Sequence, residues 1–549
     1  MSTREDDIEK KEQKKRKEKE KEQEIVKEER EPDAAEHSDG VLLRGIFKVG
    51  KKSHDVLLTG TRLTWTPVLP ESPAGEACRA PPAALMLRDV LAVKVKRRRS
   101  AGRRSGGPVL GLALFFCKRR GRRLEEDALH LHNASSEHAR IWYDALRELL
   151  AGVCGRPRRL KVFINPSSHK KEAVHVYREH VAPLFKMADV CTDITVTEKR
   201  GHALSVMKEL NVDDFDGLVC VGGDGFVAEL CHAVVLRAQL DADYPCVPVR
   251  AALPLGIIPA GSTDVVSCSV HGVRDPVTAA MHIILGHVQR ADMCSLRSAG
   301  QPPRFGFAAM FGFGARSLAR AEKKRWMAPA RRRHYALLKT LARLRAEDCQ
   351  LSFLTSRANN QDPNDHDDDP DGDSEGAESW SSAEGPFLSI GVMAIPCLSP
   401  HAPRGLAPNT KLANGRAALI AVRATSRSEF VKHLKSYGAP GGQLDFSFVE
   451  THAVTAVRLR PRGSTACTED ESEDGARVRS TARVRSTARA SARATSVVQS
   501  DAGLSFPWNI DGELLEFPNE VLIRVHGRLI GLYGEDVDEA ESAAPCGCI

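Results

Sequence analysis

A glycine turn at the end of an apolar run is the feature that most limits how this chain can fold. Residues 217–221 read Gly-Leu-Val-Cys-Val, and Gly222-Gly223-Asp224-Gly225 follow directly. A short apolar run bounded by glycines is typical of a buried strand, and a helical stretch is predicted over 226–240. A strand-to-helix turn aims free backbone N–H groups at an anion, and one carboxylate, Asp224, lies within it. The pattern therefore predicts an α/β unit with a phosphate-binding turn, although a tight turn without a ligand would leave the same signature.

The residues around this turn continue the α/β pattern over 158–290. Alternating signals predict four strands and three helices. The strands are placed at 160–164, 193–196, 216–221 and 255–258, and the helices at 172–187, 202–210 and 226–240. Pro183 is expected to disturb the helix at 172–187, because proline removes a backbone donor and crowds the preceding turn. A second turn, Pro259-Ala260-Gly261-Ser262-Thr263, follows the last strand. Since ligands of α/β sheets bind at the carboxyl ends of the strands, both turns are expected at one edge.

Strand-like segments dominate from 291 to 535, so a second, β-rich domain is expected there. Helices are predicted within it at 319–327, 331–344 and 428–437. Two insertions carry little that can be buried and are expected to be disordered: the acidic stretch within 356–385, and 463–501 with its tandem Val-Arg-Ser-Thr-Ala-Arg repeat. Residues 1–38 are mostly Lys, Glu, Gln, Arg and Asp, so a disordered charged tail is expected there, with a lone solvated helix as the alternative.

Residues 40–153 carry a separate pattern of several short strands followed by one amphipathic helix. The helix is predicted over 135–150, where Ile141, Trp142, Ala145, Leu146 and Leu149 recur at helical spacing. This order resembles a pleckstrin-homology domain. The expected fold is thus an α/β nucleotide-binding domain plus a β-rich second domain, preceded by a pleckstrin-homology-like β module.

A basic loop spans Lys94–Arg104 within this module. Its cations are Lys94, Lys96, Arg97, Arg98, Arg99, Arg103 and Arg104. Near an anionic membrane each would contribute about 1 kcal/mol, so the loop is a candidate for a membrane surface and its phosphoinositide headgroups. The same run also fits a nuclear import signal or a contact with nucleic acid. A solvated loop without a partner is the third interpretation.

Composition favours a soluble protein in a reducing compartment. The 549 residues hold 14 scattered cysteines, without the paired spacing of a zinc finger, and the formal net charge is +7. The charged start does not resemble a secretory signal, and no apolar run reaches the length of a membrane span. We expect a cytoplasmic protein that lies peripheral to internal membranes, with a nuclear pool.

The order of these motifs resembles the diacylglycerol kinase catalytic domain in its sphingolipid branch, which includes sphingosine kinase and ceramide kinase. Three strings carry the resemblance: Val219–Gly225, Gly256–Asp264 and Glu322–Trp326. Asp511-Gly512-Glu513 follows late in the chain, as in the family. With the N-terminal module included, the resemblance covers about residues 40 to 535.

The resemblance implies ATP and Mg²⁺ as cofactors and a role for each matching residue. In the family the aspartate of the glycine turn is the base that takes the proton of the lipid hydroxyl, and Asp224 matches it. Asp224 and Asp511 would also bind the metal through oxygen. The residues expected to line the nucleotide site are Asn165, Thr197, Gly222, Gly223, Gly225, Glu229, Gly261, Ser262, Arg325, Arg331, Gly512 and Glu513. For Thr197 or Glu229 taken alone, a capping or surface role is the simpler interpretation.

Two segments depart from the family pattern. The first phosphate loop of the family is Asn-Pro followed by a glycine-rich turn, whereas residues 165–171 read Asn-Pro-Ser-Ser-His-Lys-Lys. Side chains there restrict φ and crowd the approach of backbone to phosphate. In the second segment, active relatives carry acids near the lipid headgroup, whereas Arg316, Leu318 and Arg320 stand here and Glu322 is the nearby acid. Glu322 and Arg316 are the predicted substrate contacts.

Two functions of different classes remain open from the sequence. One is an active ATP-dependent kinase that phosphorylates a ceramide-like or other lipid, with Asp224 as the base. The other is a protein with the kinase fold and weak or absent ceramide phosphorylation, acting through lipid or membrane contacts. The intact Asp224 and Asp511-Gly512-Glu513 favour the first function. The glycine-free loop and Arg316 favour the second, toward which the sequence leans where ceramide is the substrate.

Overall fold

The structure, a computed structural model, describes seven stretches of the chain. They are residues 40–68, 82–98, 107–168, 171–355, 380–439, 441–462 and 505–535. The charged tail, the insertion at 463–501 and the loop residues Arg99, Arg103 and Arg104 lie outside them. The chain divides into two compact units. The first takes residues up to Arg88 with Val93–Ala113 and Leu129–Ala151, and the second takes Asp89–Ala92, Leu114–Ala128 and the chain from Gly152 onward.

The N-terminal sheet has seven strands in the order β4-β3-β2-β1-β7-β6-β5. Their bounds are β1 Leu43–Val49, β2 Lys52–Leu58, β3 Arg62–Pro67, β4 Ala83–Met86, β5 Val90–Arg97, β6 Val109–Arg120 and β7 Arg123–His132. Helix α1, Ser136–Gly152, follows the last strand. Its residues Ala139, Trp142 and Leu146 are buried on one side, and the Trp142 ring meets Phe47 edge-on at 4.9 Å between ring centroids. The expected strands followed by one amphipathic helix are therefore observed.

The second unit is built on four parallel strands. They are β8 Arg159–Ile164, β9 Cys191–Val196, β10 Gly217–Gly222 and β11 Leu255–Pro259, in the order β9-β8-β10-β11. β10 lies between β8 and β11 and is buried throughout. Leu218 and Cys220 join the core on one face, and Val219 and Val221 join the core on the other. This alternation explains why the strand is an unbroken apolar run, as parallel sheets covered on both faces require.

Helices follow the parallel strands as the sequence predicts. Those before residue 300 are α2 Ala173–Val176, α3 Ala182–Met187, α4 His202–Glu209, α5 Asp224–Asp241, α6 Val265–His271 and α7 Pro276–Leu285. A π-helical turn, Tyr177–Val181, separates α2 from α3. The predicted disturbance near Pro183 is thus confirmed, and it falls just before the proline because the ring displaces the preceding carbonyls.

The strands of the β-rich part join the same sheet. They are β12 Val288–Arg297, β13 Arg304–Gly306, β14 Ala308–Gly312, β15 Glu347–Thr355, β16 Trp380–Met393, β17 Ala417–Arg423, β18 Val449–Pro461, β19 Ser505–Ile510, β20 Glu513–Pro518 and β21 Val521–Tyr533. The helices there are α8 Phe313–Glu322, α9 Pro329–Ala342 and α10 Arg427–Ser436. β21 pairs with β11, β12 and β18, so one fourteen-stranded sheet carries both predicted domains of this unit. The expected boundary at 290 falls inside β12.

Part of the predicted insertion 356–385 belongs to a strand, and residues 356–379 lie outside the described stretches. Residues 380–385 form the start of β16, with Trp380 opposite Leu354 and Glu384 opposite Gln350 of β15. The expectation of disorder over 380–385 is therefore wrong. Their polar side chains gave no strand signal, since the strand is held there by backbone pairing with β15.

In the stretches that the structure describes, none of the helices has both the length and the apolar character needed to cross a bilayer.

Candidate functional site

The glycine turn lies where β10 ends and α5 begins. Gly223 precedes the first helical residue, Asp224, and its carbonyl accepts the N–H groups of Phe226 and Val227 at 2.9 and 3.1 Å. A Cβ on Gly222 would lie 2.6 Å from the Phe226 ring. The predicted strand, turn and helix are all confirmed here. The turn leaves no room for a side chain at Gly222, because the first turn of α5 folds back on it.

Asp224 is half-buried and bound by the start of α6. Its two carboxylate oxygens accept the N–H groups of Val265 at 2.6 Å and of Asp264 at 3.1 Å. Burial and the nearby charge of Asp264 raise the pKa of Asp224 to about 7, although the two backbone hydrogen bonds act in the opposite direction. A carboxyl group that exchanges its proton near neutral pH is suited to general base catalysis.

The second turn, between β11 and α6, packs directly on the first. The Ala260 N–H donates to the Gly222 carbonyl at 3.0 Å. A Cβ on Gly261 would lie 2.5 Å from the Gly223 Cα and 2.4 Å from the Asp264 carboxylate. Asp264 adopts φ +57°, accepts the Gly261 N–H at 2.8 Å and is bound by Arg274 at 2.6 Å. Both glycines are therefore needed for the backbones to meet, whether or not a phosphate binds.

Helix α9 places an arginine on the second turn that the sequence did not single out. The Arg333 Nη1 lies 2.6 Å from the Ser262 hydroxyl and 3.1 Å from the Thr263 hydroxyl. The predicted phosphate contacts lie nearby in the chain: Arg325 pairs with Glu322 at 2.5 Å, and Arg331 is exposed. Arg333 follows Arg331-Arg332 in an arginine run, which marks the region but not the residue that reaches the turn.

The late acidic turn, Asp511-Gly512-Glu513, joins the site from between β19 and β20. A Cβ on Gly512 would lie 3.5 Å from the Asp224 Cβ, so this turn lies against the predicted base. The Asp511 oxygens accept the N–H groups of Phe307 and Ala308, both at 2.7 Å, and burial raises the pKa of Asp511 to about 6. The three predicted turns thus meet at one place.

The two predicted metal carboxylates have the same geometry. Asp224 and Asp511 are both half-buried, and each accepts one backbone N–H on each carboxylate oxygen. One lone pair remains on each oxygen, and carboxylate oxygen is a ligand that Mg²⁺ prefers. The metal role of both residues therefore stays a prediction.

Glu513 and Glu229 have different surroundings. Glu513 is 13 % exposed and forms ion pairs with Arg304 and Arg200, neither of which the sequence indicated. Among the described residues, Glu229 has a buried Oε1 without a hydrogen-bond partner. The charge of Glu229 contributes to the raised pKa of Arg200, after a larger effect of the Glu513 hydrogen bond. Glu229 is thus the better candidate for a ligand contact, since a buried oxygen without a donor is rare.

In the first phosphate loop, the described residues 165–168 and Lys171 are held by hydrogen bonds within the loop, whereas His169 and Lys170 lie outside the described residues. The Ser167 N–H donates to the Asn165 Oδ1 at 3.0 Å, and the Ser168 N–H donates to the Asn165 carbonyl at 3.2 Å. The Lys171 N–H donates to the Ser168 carbonyl at 2.8 Å, and Lys171 adopts φ +68°, a conformation that favours glycine. The hydroxyl of Thr197, 6 % exposed, donates to the Ile164 carbonyl at 3.3 Å. The geometry therefore gives Asn165 and Thr197 local capping contacts.

Arg316 points into an ion pair. Its Nη1 lies 2.5 Å from the Glu347 Oε1, its Nη2 donates to the Arg345 carbonyl at 2.7 Å, and the two ion-pair side chains are 10 % and 13 % exposed. Arg320 donates to the Thr340 hydroxyl at 3.0 Å. Glu347 therefore neutralises the charge of Arg316 in the described structure, and the substrate contact of Arg316 stays a prediction.

Comparisons with known proteins agree with this arrangement. Residues 159–296 match the diacylglycerol kinase catalytic domain, and residues 307–549 match the ceramide kinase C-terminal domain. The human ceramide kinase-like protein is 44% identical over 544 residues, which cover 91% of this chain and 92% of that protein.

Mouse ceramide kinase is 31% identical over 436 residues, with 74% of this chain and 80% of that protein covered. Among solved structures, a diacylglycerol kinase from Bacillus anthracis aligns with a TM-score of 0.41 and 12% identity, covering 69% of this chain and 97% of that chain.

Proposed function

This chain belongs to the ceramide kinase-like family of lipid kinase proteins, and from that premise we propose that it phosphorylates ceramide weakly or not at all and acts through lipid and membrane contacts. Under this proposal, the contacts between the two glycine turns and the Asp511 turn stabilise the fold. A lipid is the expected ligand, because the named relatives are ceramide kinases.

The hydrogen-bonded amides of Ser167, Ser168 and Lys171 in the first phosphate loop carry the proposal. A phosphate-binding loop works by pointing free N–H groups at the anion. Here the Ser167, Ser168 and Lys171 amides are all used by acceptors within the loop, at 3.0, 3.2 and 2.8 Å. Before these amides could bind ATP, the hydrogen bonds would have to break, at a net contribution of about 1 kcal/mol each. Tight ATP binding is therefore not expected of this loop.

The surface of α8 and α9 supports a lipid contact. Trp326, between the two helices, is 80% exposed, and Leu338 of α9 is 66% exposed. Both residues belong to the segment from α8 to α9, and exposed large apolar side chains are candidates for contact surfaces. Arg325 and Arg331 lie on the same segment and are exposed, so the surface carries cations as well. Apolar and cationic groups together suit the boundary between lipid chains and anionic headgroups.

We further propose that the N-terminal sheet and α1 act as a pleckstrin-homology-like membrane module, and that the protein is cytoplasmic, peripheral to internal membranes, with a nuclear pool. Lys94, Lys96 and Arg97 lie on β5 and Arg98 follows it, so the described part of the basic loop begins at a strand end. Neutralising Arg97, Arg98 and Arg99 should change the membrane or nuclear distribution. An unchanged distribution would contradict this part of the proposal.

The second candidate function is an active lipid kinase, which the state of Asp224 favours. With its pKa raised to about 7, Asp224 can accept the proton of a primary hydroxyl as that oxygen attacks the γ-phosphorus of ATP, while ADP leaves. Mg²⁺, when bound, would neutralise charge on the phosphates, and Asp224 and Asp511 would hold it. The positive ends of α5 and α6 would stabilise developing negative charge.

A lipid kinase assay separates the two functions. Purified full-length protein is incubated with labelled ATP, Mg²⁺ and a panel of ceramide and other lipids, beside Asp224→Asn and an active ceramide kinase as a positive control. The proposal predicts that phosphate incorporation into ceramide stays far below that of the positive control, and that ATP does not raise the melting temperature. Incorporation comparable with that of the positive control, and lost in Asp224→Asn, would overturn the proposal in favour of the kinase. Binding to lipid vesicles without phosphate transfer is the result that the proposal expects.

A further inference from the structure

Three side chains outside the glycine turns bring their ligand atoms to one point. His282 lies in the last turn of α7, His287 follows Gly286 at the end of that helix, and Glu535 follows β21. The Nδ1 atoms of His282 and His287 lie 3.1 Å apart, and the His287 Nδ1 lies 3.4 Å from the Glu535 Oε1. All three ligand atoms lie within 4.8 Å of one another. The cluster lies wholly within the second unit.

Hydrogen bonding within the cluster leaves one of its contacts unsatisfied. A ring nitrogen carries either one proton or one lone pair. If the His287 Nδ1 is protonated, its single proton faces two acceptors, the His282 Nδ1 and the Glu535 Oε1. If it is not protonated, its lone pair faces the Glu535 carboxylate at 3.4 Å. A cation placed among the three atoms would accept a lone pair from each. The arrangement is therefore better matched to a metal than to a pair of hydrogen bonds.

The groups around the cluster hold its ligands in place. Arg119 forms an ion pair with the other Glu535 oxygen, Oε2. The Gln289 Nε2 donates to the Glu535 carbonyl at 3.0 Å, and the Gly534 N–H donates to the His287 carbonyl at 2.8 Å. The His282 ring, 2% exposed, stacks on His271 with 5.4 Å between ring centroids. Such outer contacts orient ligand atoms before a metal arrives, which strengthens metal binding.

The protonation states also suit metal ligands. Burial is the main cause that lowers the pKa of His282 to about 4, and burial likewise lowers the pKa of His287, so both rings are neutral near pH 7. Burial alone would raise the pKa of Glu535, but the hydrogen bond from Arg119 and nearby charges lower it. Neutral imidazole and ionised carboxylate are the forms that bind metal.

We propose that His282, His287 and Glu535 bind one Zn²⁺ ion that fastens the end of β21 to α7. Zinc bonds of about 2.0–2.1 Å in a tetrahedron place neighbouring ligand atoms about 3.3–3.4 Å apart. The separations of 3.1 and 3.4 Å are close to that spacing. The side chains of His287 and Glu535 are 32% and 37% exposed, which leaves room for water as the fourth ligand. Because β21 carries the junction of the fourteen-stranded sheet, the ion would stabilise the whole second unit.

Metal analysis of the full-length protein tests the site. Protein purified without chelator or metal-affinity tag should contain about one zinc ion per chain, and removal of zinc should lower its melting temperature in a way that added Zn²⁺ reverses. His287→Ala and Glu535→Gln should reduce zinc to background and abolish the thermal response. Arg119→Ala should weaken zinc binding about tenfold, since it removes the group that orients Glu535.

The controls distinguish zinc at this site from zinc bound by any of the 14 cysteines, since thiolates are zinc ligands as well. His287→Ala and Glu535→Gln keep every thiol, and His180→Ala, an exposed histidine elsewhere, should keep both the zinc and the thermal response. Zinc below about a tenth of an equivalent in the wild type with no thermal response would overturn the proposal. Equal zinc in Glu535→Gln and the wild type would overturn it too. If His287→Ala does not fold, Glu535→Gln and the Co²⁺ absorption spectrum of the wild type decide: tetrahedral bands support the site, and their absence contradicts it.

Discussion

The Arg333 guanidinium lies 2.6 Å from the Ser262 hydroxyl, a contact that joins α9 to the turn after β11. Ser262 is one of the residues expected to line the nucleotide site, so a side chain from the β-rich part of the chain supports the second turn of the α/β part. The site is therefore completed by a residue 71 positions away from the turn.

Removing Arg333 should loosen this turn. Arg333→Ala is expected to lower the free energy of unfolding by about 1–2 kcal/mol, because a hydrogen bond from a charged group contributes about 1.5–3 kcal/mol and partial exposure reduces it. Denaturant unfolding measures the change. Arg331→Ala is the matched control, since Arg331 is exposed and should be within about 0.5 kcal/mol of wild type. Equal losses in the two variants would contradict the structural role of Arg333.

Opening the first loop should improve nucleotide binding. Lys171 has φ +68°, and Lys171→Gly together with Ser167→Gly frees the backbone to adopt other conformations and removes side chains that crowd an approaching phosphate. We expect ATP affinity, measured with a fluorescent ATP analogue, to rise by several fold over wild type.

The control for this prediction is Asp243→Gly, which replaces an exposed residue of φ +54° outside the loop. It should free the backbone to a comparable degree and leave nucleotide affinity unchanged. If the loop variant binds ATP no better than Asp243→Gly does, the hydrogen-bonded loop is not what limits ATP binding.

Stability should fall as the pH rises through neutrality. The pKa of Asp224 is raised from 3.8 to about 7 in the folded protein, so the native state holds a proton that the unfolded chain releases. This stabilising contribution is complete below about pH 4 and is lost as the pH rises through about 7. Asp511, whose pKa is raised to about 6, acts in the same direction.

Denaturant unfolding at pH 5 and pH 8 measures this effect. The decrease in unfolding free energy between the two values should be smaller in Asp224→Asn than in wild type, by about 1 kcal/mol or more. Asp243→Asn, at an exposed position, should retain the wild-type decrease. An unchanged decrease in Asp224→Asn would show that Asp224 titrates at its ordinary pKa.

The ion pair between Arg316 and Glu347 should matter for folding more than for lipid choice. Arg316→Ala leaves the largely buried Glu347 carboxylate with Arg345 as its ionic partner, and should lower the free energy of unfolding by about 2 kcal/mol. The double variant Arg316→Met, Glu347→Leu should recover most of that loss, since apolar side chains of similar size replace both charges.

A vesicle-binding assay on the double variant completes this test. We expect its lipid preference to match that of the wild type. A changed lipid preference with little loss of stability would instead support the original prediction that Arg316 contacts the headgroup.

The sequence predicted the parts of the fold that rest on local signals. The apolar run before Gly222 predicted β10, and the helical spacing of Trp142 and Leu146 predicted α1. The strand at 380–385 was missed, because its polar residues are held by pairing with β15. The extent of β12 was missed for a related reason, since that strand mixes polar and apolar residues across a boundary placed at 290.

The site shows the same division. The turn residues could be read from local motifs, whereas contacts between distant segments could not. Arg200 and Arg304 meet Glu513 across more than 200 positions, and no periodicity relates them. The ion pair between Arg316 and Glu347 likewise follows from no local motif.

The close approach of Gly223 and Gly261 has a consequence for how such sequences are interpreted. A side chain on Gly261 would lie 2.5 Å from the backbone of the other turn, so the fold itself forbids replacement there. In a lineage whose protein no longer transfers phosphate, a substitution of Gly261 would still disrupt folding. Purifying selection on folding alone can thus preserve the signature long after the chemistry has gone. Enzyme inventories that count genes by this glycine signature would then overstate the number of working kinases.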